Sequence, residues 1–212
     1  MNNQESTGEL LAFLLKGERQ GAANVVNGLL ESGEEVQHIY EMVIKPAMYR
    51  VGEMWEEGEI SVATEHLASA IVETILGQLY YKVISKSGSR NRTVVVSTVE
   101  NESHQIGAKM VSDVFELHGW NSHFLGANTP VDELFKYIEM AKPDMLSLSM
   151  SIDSHLESLE RAIVKVREKY PDLVILIGGQ GLNKNGGEVM LRYSGVLYFR
   201  DLGSFENFLL QS

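Results

Sequence analysis

The sequence predicts a helical bundle followed by a parallel α/β sheet, because its apolar pattern changes part-way along the 212 residues. Residues 1 to about 86 carry apolar side chains at the three-to-four spacing of amphipathic helices. After a polar stretch, five short apolar runs alternate with helical stretches of about ten to fifteen residues, which is typical of strands joined by crossover helices. We therefore expect a helical domain over 1–86 and an α/β domain over 92–212.

In the first domain, helix-ending residues separate the apolar stripes into four or five helices. Gly17 and the pair Ser32-Gly33 fall between the first three stripes. Pro46 starts or kinks the next helix, because proline lacks an amide hydrogen. That helix ends at Gly58, and Ser61 offers an N-terminal cap for a long last helix. Four or five helices joined by short links predict a helical bundle.

The polar stretch Ser85–Asn91 is expected to be a linker. The apolar runs that follow it are the predicted strands: Thr93–Ser97, Ser122–Leu125, Asp144–Ser149, Leu173–Ile177 and Val196–Phe199. Parallel sheets of this kind bind ligands beyond the carboxyl ends of their strands, where the strand order reverses. We therefore look for functional residues in the loops that follow the strands.

Composition excludes several classes of function. Eighteen basic against twenty-nine acidic residues give a net charge of −11, which speaks against binding a nucleic-acid backbone. The chain has no cysteine, so disulfides, thiolate metal sites and cysteine nucleophiles are excluded. Its start is polar and acidic, unlike a signal peptide, and no apolar run reaches the roughly 20 residues of a membrane span. We expect a soluble cytoplasmic protein.

The strongest functional pattern follows the first predicted strand. Glu102, His104 and Gly107 form the spacing Glu-x-His-x-x-Gly in the loop that leads into a helix. A carboxylate two residues before a histidine can accept the proton of one ring nitrogen, which orients the imidazole as a metal ligand. Gly107 falls on the same helix stripe as Met110, and its missing side chain lets something large approach. A solvated loop histidine beside a helix-start glutamate is the alternative at this point.

Small and hydroxyl residues close the other strands at the same edge of the sheet. Gly126 follows the second strand, Ser147 and Ser149 close the third, and Gly178 and Gly179 close the fourth. One glycine pair alone would be weak, since it can simply make a turn. In this order, one feature for each strand, they predict a slot beside the first strand for a flat or extended ligand.

With these residues in this order, the chain from 92 to about 210 resembles the cobalamin-binding domains of methionine synthase, corrinoid methyltransferase proteins and cobalamin photoreceptors. The resemblance implies a flavodoxin-like (Rossmann-like) fold, with His104 as the lower axial cobalt ligand and Glu102 as its hydrogen-bonding acid, where aspartate is commoner. It implies a slot for the displaced dimethylbenzimidazole tail, lined by Gly126, Ser149, Gly178 and Gly179. It also implies that the helical bundle caps the upper face of the corrin.

Three residues flank the turn between the last two predicted helices of the bundle. Trp55 ends one helix, Glu65 and His66 start the next, and we expect them to lie close together around a reactive group. A core tryptophan, a glutamate favoured at a helix N-terminus and a surface histidine form the alternative. The spacing Trp-x9-Glu-His resembles the signature of CarH-type cobalamin photoreceptors. That resemblance implies a pocket for a 5′-deoxyadenosyl group.

The chain departs from that subfamily in two respects. Glu56 stands where the best-known light sensors have a histidine that caps cobalt after illumination, and the sequence carries no DNA-binding winged-helix domain. The resemblance then implies a stand-alone light sensor, not an enzyme and without catalytic residues, that holds adenosylcobalamin and signals when light breaks its cobalt–carbon bond. The signal would pass through a homo-oligomer or a protein partner.

Three other functions stay open: a corrinoid carrier of a methyltransferase system, a light-independent cobalamin-binding regulatory partner, and a sensor that also binds a bilin, which no residue indicates. The remaining histidines show no partner spacing and are expected to be structural or solvated: His38, His118, His123 and His155. Of these four, His155 is expected to come nearest to the ligand tail, because it follows the third strand.

Overall fold

The chain divides into a helical unit, Met1–Ser85, and an α/β unit, Lys86–Ser212, in a computed structural model. The structure describes residues 2–86, 90–184 and 186–211. Of the predicted linker, Ser87, Gly88 and Ser89 lie outside the described residues. None of the helices in the described part of the chain combines the length and the apolarity that a membrane span requires.

The first unit consists of helices joined by short turns. Its elements are α1 (Asn3–Lys16), α2 (Arg19–Glu31), α3 (Val36–Ile39), a π-helical turn (Tyr40–Ile44), α4 (Lys45–Glu56) and α5 (Val62–Lys86). Gly17 ends α1 in the left-handed conformation, with φ +71°, as its position after the first stripe predicts. The apolar stripes are buried in the core of this unit, including Leu10, Leu14, Ile39, Ile44 and Ile71.

Pro46 lies in the first turn of α4, and the chain stays helical on both sides of it. Since proline has no amide hydrogen, residue 46 cannot donate the α-helical hydrogen bond to the carbonyl of Met42. The hydroxyl of Thr7 in α1 lies 3.1 Å from that carbonyl and 2.9 Å from the carbonyl of Asn3, so its one proton is shared between the two acceptors. The turn just before Pro46 is widened, with the amide of Lys45 donating to the carbonyl of Tyr40 five residues back. The helices α3 and α4 are thus parts of one continuous rod.

The second unit is an alternating α/β fold. Its elements are β1 (Thr93–Thr98), α6 (Ile106–Leu117), β2 (Asn121–Phe124), α7 (Val131–Ala141), β3 (Met145–Ser149), α8 (Leu156–Lys169), β4 (Val174–Gly178), α9 (Gly186–Arg192), β5 (Val196–Tyr198) and α10 (Leu202–Gln211). The first and last residues of each predicted strand lie within two residues of those of an observed strand. All neighbouring strands are parallel, in the order β2-β1-β3-β4-β5. This is the flavodoxin-like arrangement that the resemblance implies.

Helices cover both faces of the sheet. On one face, α7, α8 and α9 pack against β1, β3 and β4 through a cluster that includes Leu134, Leu159 and Val189. On the other face, α6 and α10 meet through the rings of Phe115 and Phe205, whose centroids lie 4.8 Å apart. The chain therefore leaves β1 and β3 towards opposite faces, which opens a crevice between the loops that follow these two strands.

At the end of the sheet where the strands begin, the side chain of Arg167 binds several loop carbonyls. The guanidinium of Arg167 in α8 donates to the carbonyl oxygens of Ser194 and Gly195, each at 2.8 Å. It also donates to the carbonyls of Tyr170 and Leu173, in the turn that leads into β4. This one side chain therefore joins the segments that lead into β4 and β5.

We predict that Arg167→Leu lowers the free energy of unfolding by about 2–4 kcal/mol, because several carbonyls lose a charged donor at once. The matched control is Lys165→Leu on the same helix, whose ion pair with Asp132 is exposed and contributes less than about 1 kcal/mol. Urea unfolding of the cofactor-free protein, followed by circular dichroism, measures both losses. Equal losses for the two variants would contradict the prediction.

Candidate functional site

A fully buried carboxylate, that of Glu102, lies between the loops that follow β1 and β3. Its Oε1 accepts hydrogen bonds from the amide of His104 at 2.9 Å and from Nδ1 of the same residue at 2.5 Å. Its Oε2 accepts from the amides of Ser151 and Ile152 at 2.8 and 3.1 Å, and from Nδ1 of His155 at 3.1 Å. Five donors from two loops therefore converge on one carboxylate.

These donors decide the charge of Glu102. Burial by itself raises the pKa of a carboxyl group, but the hydrogen bonds from His104, Ser151 and His155 outweigh burial and lower the pKa of Glu102 to about 2. The group is therefore ionised at neutral pH. An ionised carboxylate only accepts hydrogen bonds, so both imidazoles must carry a proton on Nδ1. Ligation by His104 would then use Nε2, and its side chain is 44% exposed.

Hydrogen bonds to the loop after β2 hold the backbone that carries Glu102. The hydroxyl of Thr98 donates to the carbonyl of Glu102 at 2.7 Å, and the amide of Asn128 donates to the same carbonyl at 2.9 Å. The side chain of Asn128 accepts from the amide of Asn101 at 2.7 Å. Both asparagines have positive φ, +72° for Asn101 and +52° for Asn128, which asparagine adopts more readily than most residues. Sequence reasoning missed Thr98 and Asn128, because only the fold brings the two loops together.

The predicted slot residues of β3 and β4 lie on one face of the sheet. The register pairs Thr98 with Ser149, and Ser149 with Gly178, in one row across three strands. Ser147 lies two residues earlier in β3 and shares that face, because side chains alternate along a strand. Both serines are buried. The row therefore presents small side chains on the face that α6 and α10 cover, beside the loop that carries Glu102.

The predicted glycines of the loops after β1 and β2 differ in their surroundings: Gly107 faces open space, and Gly126 faces the side chain of Gln105. Gly107, in the first turn of α6, is exposed, and a side chain there would meet no atom within 4 Å. This open space is compatible with the expectation that the missing side chain lets something large approach. Gly126 has φ +81°, and a Cβ on it would lie 3.2 Å from Oε1 of Gln105.

Of the Gly178-Gly179 pair, only Gly179 is required by the protein's own backbone. Gly179 has φ +107°, and a Cβ there would lie 2.3 Å from the carbonyl oxygen of Met150. A Cβ on Gly178 would be at ordinary contact distance, 3.4 Å, from the carbonyl oxygen of Phe199. The absence of a side chain at Gly179 is therefore explained by the close approach of the loop after β3, without any ligand.

The structure places Trp55 in the last turn of α4, and Glu65 and His66 in the first turns of α5. Nε2 of His66 lies 3.6 Å from a carboxylate oxygen of Glu65, whose other oxygen accepts from the hydroxyl of Ser69 at 2.7 Å. No hydrogen bond or ion pair joins Trp55 to Glu65 or His66, all three of which the structure describes. Ser61 caps α5 as predicted, its hydroxyl accepting from the amide of Thr64 at 3.1 Å.

A single arginine organises the acidic turn beside Trp55. Arg50 forms ion pairs with Glu53 and Glu59 at 3.3 Å and with Glu57 at 3.5 Å. These pairs are exposed, and we assign them little stability. Glu56, at the position where light sensors of the CarH type have histidine, is exposed.

Three of the remaining histidines have structural partners, as expected. His38 contacts Asn3 at 3.1 Å, and His123 contacts Asn121 at 2.9 Å. His118 pairs with Glu206 of α10 at 3.1 Å. His155 differs from these three, because its partner is the buried Glu102. The sequence carries no signal for this pair, since the two residues lie 53 positions apart.

Family models match residues in both units of the chain. A model described as a B12 binding domain matches residues 8–80, and a second model with the same description matches residues 92–202. The chain belongs to the B12-binding domain family. It is a cobalamin-binding protein, which confirms the cofactor that the sequence predicts.

Curated relatives of this cobalamin-binding protein include a transcriptional repressor and corrinoid proteins. It is 28% identical, over 141 residues, to the HTH-type transcriptional repressor CarH of Myxococcus xanthus, which covers 66% of this chain and 46% of the relative. The chain thus spans less than half the length of that repressor. It is 24% identical, over 187 residues, to a dimethylamine corrinoid protein of Methanosarcina barkeri, which covers 84% of this chain and 85% of the relative.

Solved structures confirm the fold. The monomethylamine corrinoid protein of Methanosarcina barkeri superposes with a TM-score of 0.83 at 14% identity, covering 99% of both chains. A cobalamin-binding protein from Desulfitobacterium hafniense has a TM-score of 0.51 at 18% identity, covering 95% of this chain and 96% of the other.

The residues at the crevice fit a cobalamin. An imidazole with one nitrogen bound to a buried carboxylate is a metal ligand of fixed tautomer and orientation. A Cβ on Gly107, three residues after His104 in the chain, would meet no atom within 4 Å, so the backbone there is open to a large planar group. His104 would hold the cobalt from below, with Glu102 orienting the ring.

We predict that the two glycines respond differently to a methyl group. Gly179→Ala should lower the free energy of unfolding of the cofactor-free protein by more than about 2 kcal/mol, because the new Cβ meets a backbone carbonyl at positive φ. Gly107→Ala should leave it unchanged or raise it by up to about 1 kcal/mol, since alanine favours a helix. Thermal unfolding followed by circular dichroism compares the two.

The larger substitution Gly107→Leu should then weaken cobalamin binding at least tenfold without destabilising the cofactor-free protein, because it fills the open space at residue 107. Titration followed by cobalamin absorbance measures this affinity. Undiminished affinity for Gly107→Leu would show that the cofactor lies elsewhere.

Proposed function

We propose that this cobalamin-binding protein is a light sensor that holds adenosylcobalamin, with His104 as the lower axial ligand. The observation that carries the light-sensing role is the Trp55, Glu65, His66 set at the α4–α5 turn, at the spacing of the CarH-type signature. The 28% identity to the CarH repressor supports it. In this proposal residues 1–86 cap the upper face of the corrin and residues 92–212 hold its lower face and tail.

On the lower side, Glu102 keeps the His104 imidazole in the Nδ1–H tautomer, so that Nε2 is the ligating nitrogen. The residues of one row, Thr98, Ser149 and Gly178, have small side chains or none and therefore leave space for the nucleotide tail. Ser147 lies on the same face, two residues earlier in β3. We further assign Gly126 and Gly179 to the rim of this slot, where both have positive φ. A Cβ would lie close to the side chain of Gln105 at Gly126 and close to the backbone of Met150 at Gly179.

On the upper side, three side chains would enclose the adenosyl group. When bound, adenosylcobalamin supplies a cobalt–carbon bond that visible light breaks. The indole of Trp55 is 38% exposed and offers a flat apolar wall. Glu65, held by Ser69, offers a hydrogen-bond acceptor, and His66 offers a base with a 74% exposed side chain. Since Glu56 replaces the capping histidine, water or His66 would take the upper position after illumination.

We predict that His104→Ala lowers cobalamin affinity by at least tenfold or leaves the tail base on cobalt, because the lower ligand is lost. Glu102→Gln should weaken binding by about 10–100-fold, as is typical for loss of a group that orients a ligand. Absorbance titration with hydroxocobalamin measures both. The control is His118→Ala, which should bind like the parent protein because His118 follows the C-terminal end of α6 and pairs with Glu206 of α10. Unchanged spectrum and affinity in His104→Ala would exclude His104 as the ligand.

A corrinoid carrier is the second candidate function. It is supported by the 24% identity to a dimethylamine corrinoid protein across 84% of this chain. The two functions make opposite demands on the upper face. A sensor must enclose a bulky adenosyl group, whereas a carrier must open to successive methyltransferases.

We predict that Trp55→Ala reduces adenosylcobalamin affinity by about tenfold or more and leaves hydroxocobalamin affinity unchanged, because only the adenosyl group would contact the indole. Tyr81→Ala is the matched control, since that side chain is an exposed aromatic of the same unit, 72% exposed. Green light should change the absorption spectrum and the hydrodynamic size or partner affinity of the adenosylcobalamin complex.

Other outcomes identify the alternatives. Selection of methylcobalamin over adenosylcobalamin, with no effect of light on assembly, would favour the carrier. Tight adenosylcobalamin binding without any light effect would favour a light-independent regulatory partner.

A further inference from the structure

The turn between α4 and α5 carries much more negative than positive charge. Between Lys45 and Lys82 the sequence has six glutamates but only one lysine or arginine, Arg50. Four of these glutamates lie at positions 53, 56, 57 and 59, around the end of α4. We infer that Arg50 is a positioning residue, which keeps this turn closed and thereby fixes the backbone position of Trp55. Its effect on adenosylcobalamin binding rests on the proposed function.

The end of α4 is an unfavourable place for carboxylates. The unpaired carbonyl groups at a helix C-terminus carry partial negative charge, so basic side chains stabilise this end and acidic ones destabilise it. Glu53 and Glu56 nevertheless lie in the last turn of α4, Glu57 follows it, and that turn contains no basic residue. The carboxylates repel one another and the helix end, and this repulsion favours an open turn.

Arg50 offsets this repulsion from the preceding turn of the same helix. One nitrogen of its guanidinium lies 3.3 Å from Glu53 and 3.5 Å from Glu57, and another lies 3.3 Å from Glu59. Because Glu59 follows Gly58, the guanidinium connects the helix with the far side of the turn. Exposed pairs of this kind add little to the free energy of unfolding. Loss of Arg50, however, leaves three carboxylates close together without the cation that they share.

Backbone hydrogen bonds connect the same turn to Trp55. The amide of Gly58 donates to the carbonyl of Trp55 at 3.0 Å, and the amide of Glu59 donates to the carbonyl of Met54 at 2.8 Å. Gly58 has φ +73°, the left-handed conformation that is common at helix ends. An open turn loses these bonds, so the last turn of α4 and the indole that it carries become free to move.

A role that depends on charge has a distinct response to salt. Screening shortens the reach of exposed charges from about 30 Å at 0.01 M salt to about 3 Å at 1 M. A protein without Arg50 is left with the repulsion alone, so salt should close its turn again. If Arg50 acted through the packing of its aliphatic stem, salt would restore nothing. The salt response of a variant without Arg50 therefore separates the two roles.

The test compares the parent protein with Arg50→Leu, both without cofactor, at 0.01 and 0.5 M NaCl. Hydrogen exchange of the Gly58 and Glu59 amides, followed by ¹H–¹⁵N spectra, measures opening of the turn. The indole N–H signal of Trp55, identified by its loss in Trp55→Phe, reports on that side chain. For Arg50→Leu at low salt we expect about fivefold faster exchange and a shifted indole signal, both returning to the parent values at 0.5 M NaCl.

Two further variants separate the charge of Arg50 from other effects. Lys16→Leu removes a lysine from the last turn of α1 in the same unit and should leave both signals unchanged. Arg50→Leu combined with Glu57→Gln and Glu59→Gln should behave like the parent protein at low salt, because two of the repelling carboxylates are gone.

Cofactor binding provides the functional readout. At 0.01 M NaCl, Arg50→Leu should bind adenosylcobalamin about fivefold more weakly than the parent protein does, and 0.5 M NaCl should remove the difference. Hydroxocobalamin affinity should be the same in both proteins, because that form lacks the adenosyl group.

Each contrary result overturns a separate claim. Parent-like exchange in Arg50→Leu at low salt, or faster exchange that salt does not reverse, would overturn the role of Arg50. Faster, salt-reversible exchange with an unmoved indole signal would show that the turn does not position Trp55, and would overturn the inference as well. If Trp55→Ala binds adenosylcobalamin like the parent protein, the proposed function fails, whereas exchange and the indole signal still decide the role of Arg50.

Discussion

Burial of an ionised carboxylate is the constraint on which the α/β unit depends at its functional edge. A charge removed from water is tolerated only when hydrogen bonds replace its hydration. Glu102 meets this condition with donors from the loops after β1 and β3, so neither loop can move without leaving the charge partly unpaired. The cost of burying this group therefore holds the two sides of the crevice at a fixed separation.

This arrangement also prepares the site before a cofactor arrives. An imidazole whose tautomer and ring plane are already set loses little conformational freedom when it ligates a metal, and binding is stronger for that reason. The hydrogen bonds from Thr98 and Asn128 to the carbonyl of Glu102 extend the same order to the backbone. The rigid part of the site is thus a network of polar groups that reaches across three loops.

The sequence predicted the elements of the fold well and the long-range contacts of the site poorly. The strands were readable because each is a short apolar run between turn residues, and the Glu102–His104 pair was readable because its members are two residues apart. The bond from His155 depends on the register of β1 against β3, which no local pattern reveals. Glycines show the same limit. Gly179 makes room for a carbonyl of the chain, whereas Gly107 faces open space, and one-letter patterns cannot distinguish the two.

The π-helical turn before α4 affects the direction in which Trp55 projects from that helix. A π turn takes up one residue more than an α turn, so converting Tyr40–Ile44 to α geometry at constant chain length would rotate everything after it by about 100° about the helix axis. Pro46 follows that turn and cannot donate, so an α turn there would gain no hydrogen bond to the carbonyl of Met42. The direction in which α4 presents Trp55 therefore depends on this one widened turn, which ends at Ile44.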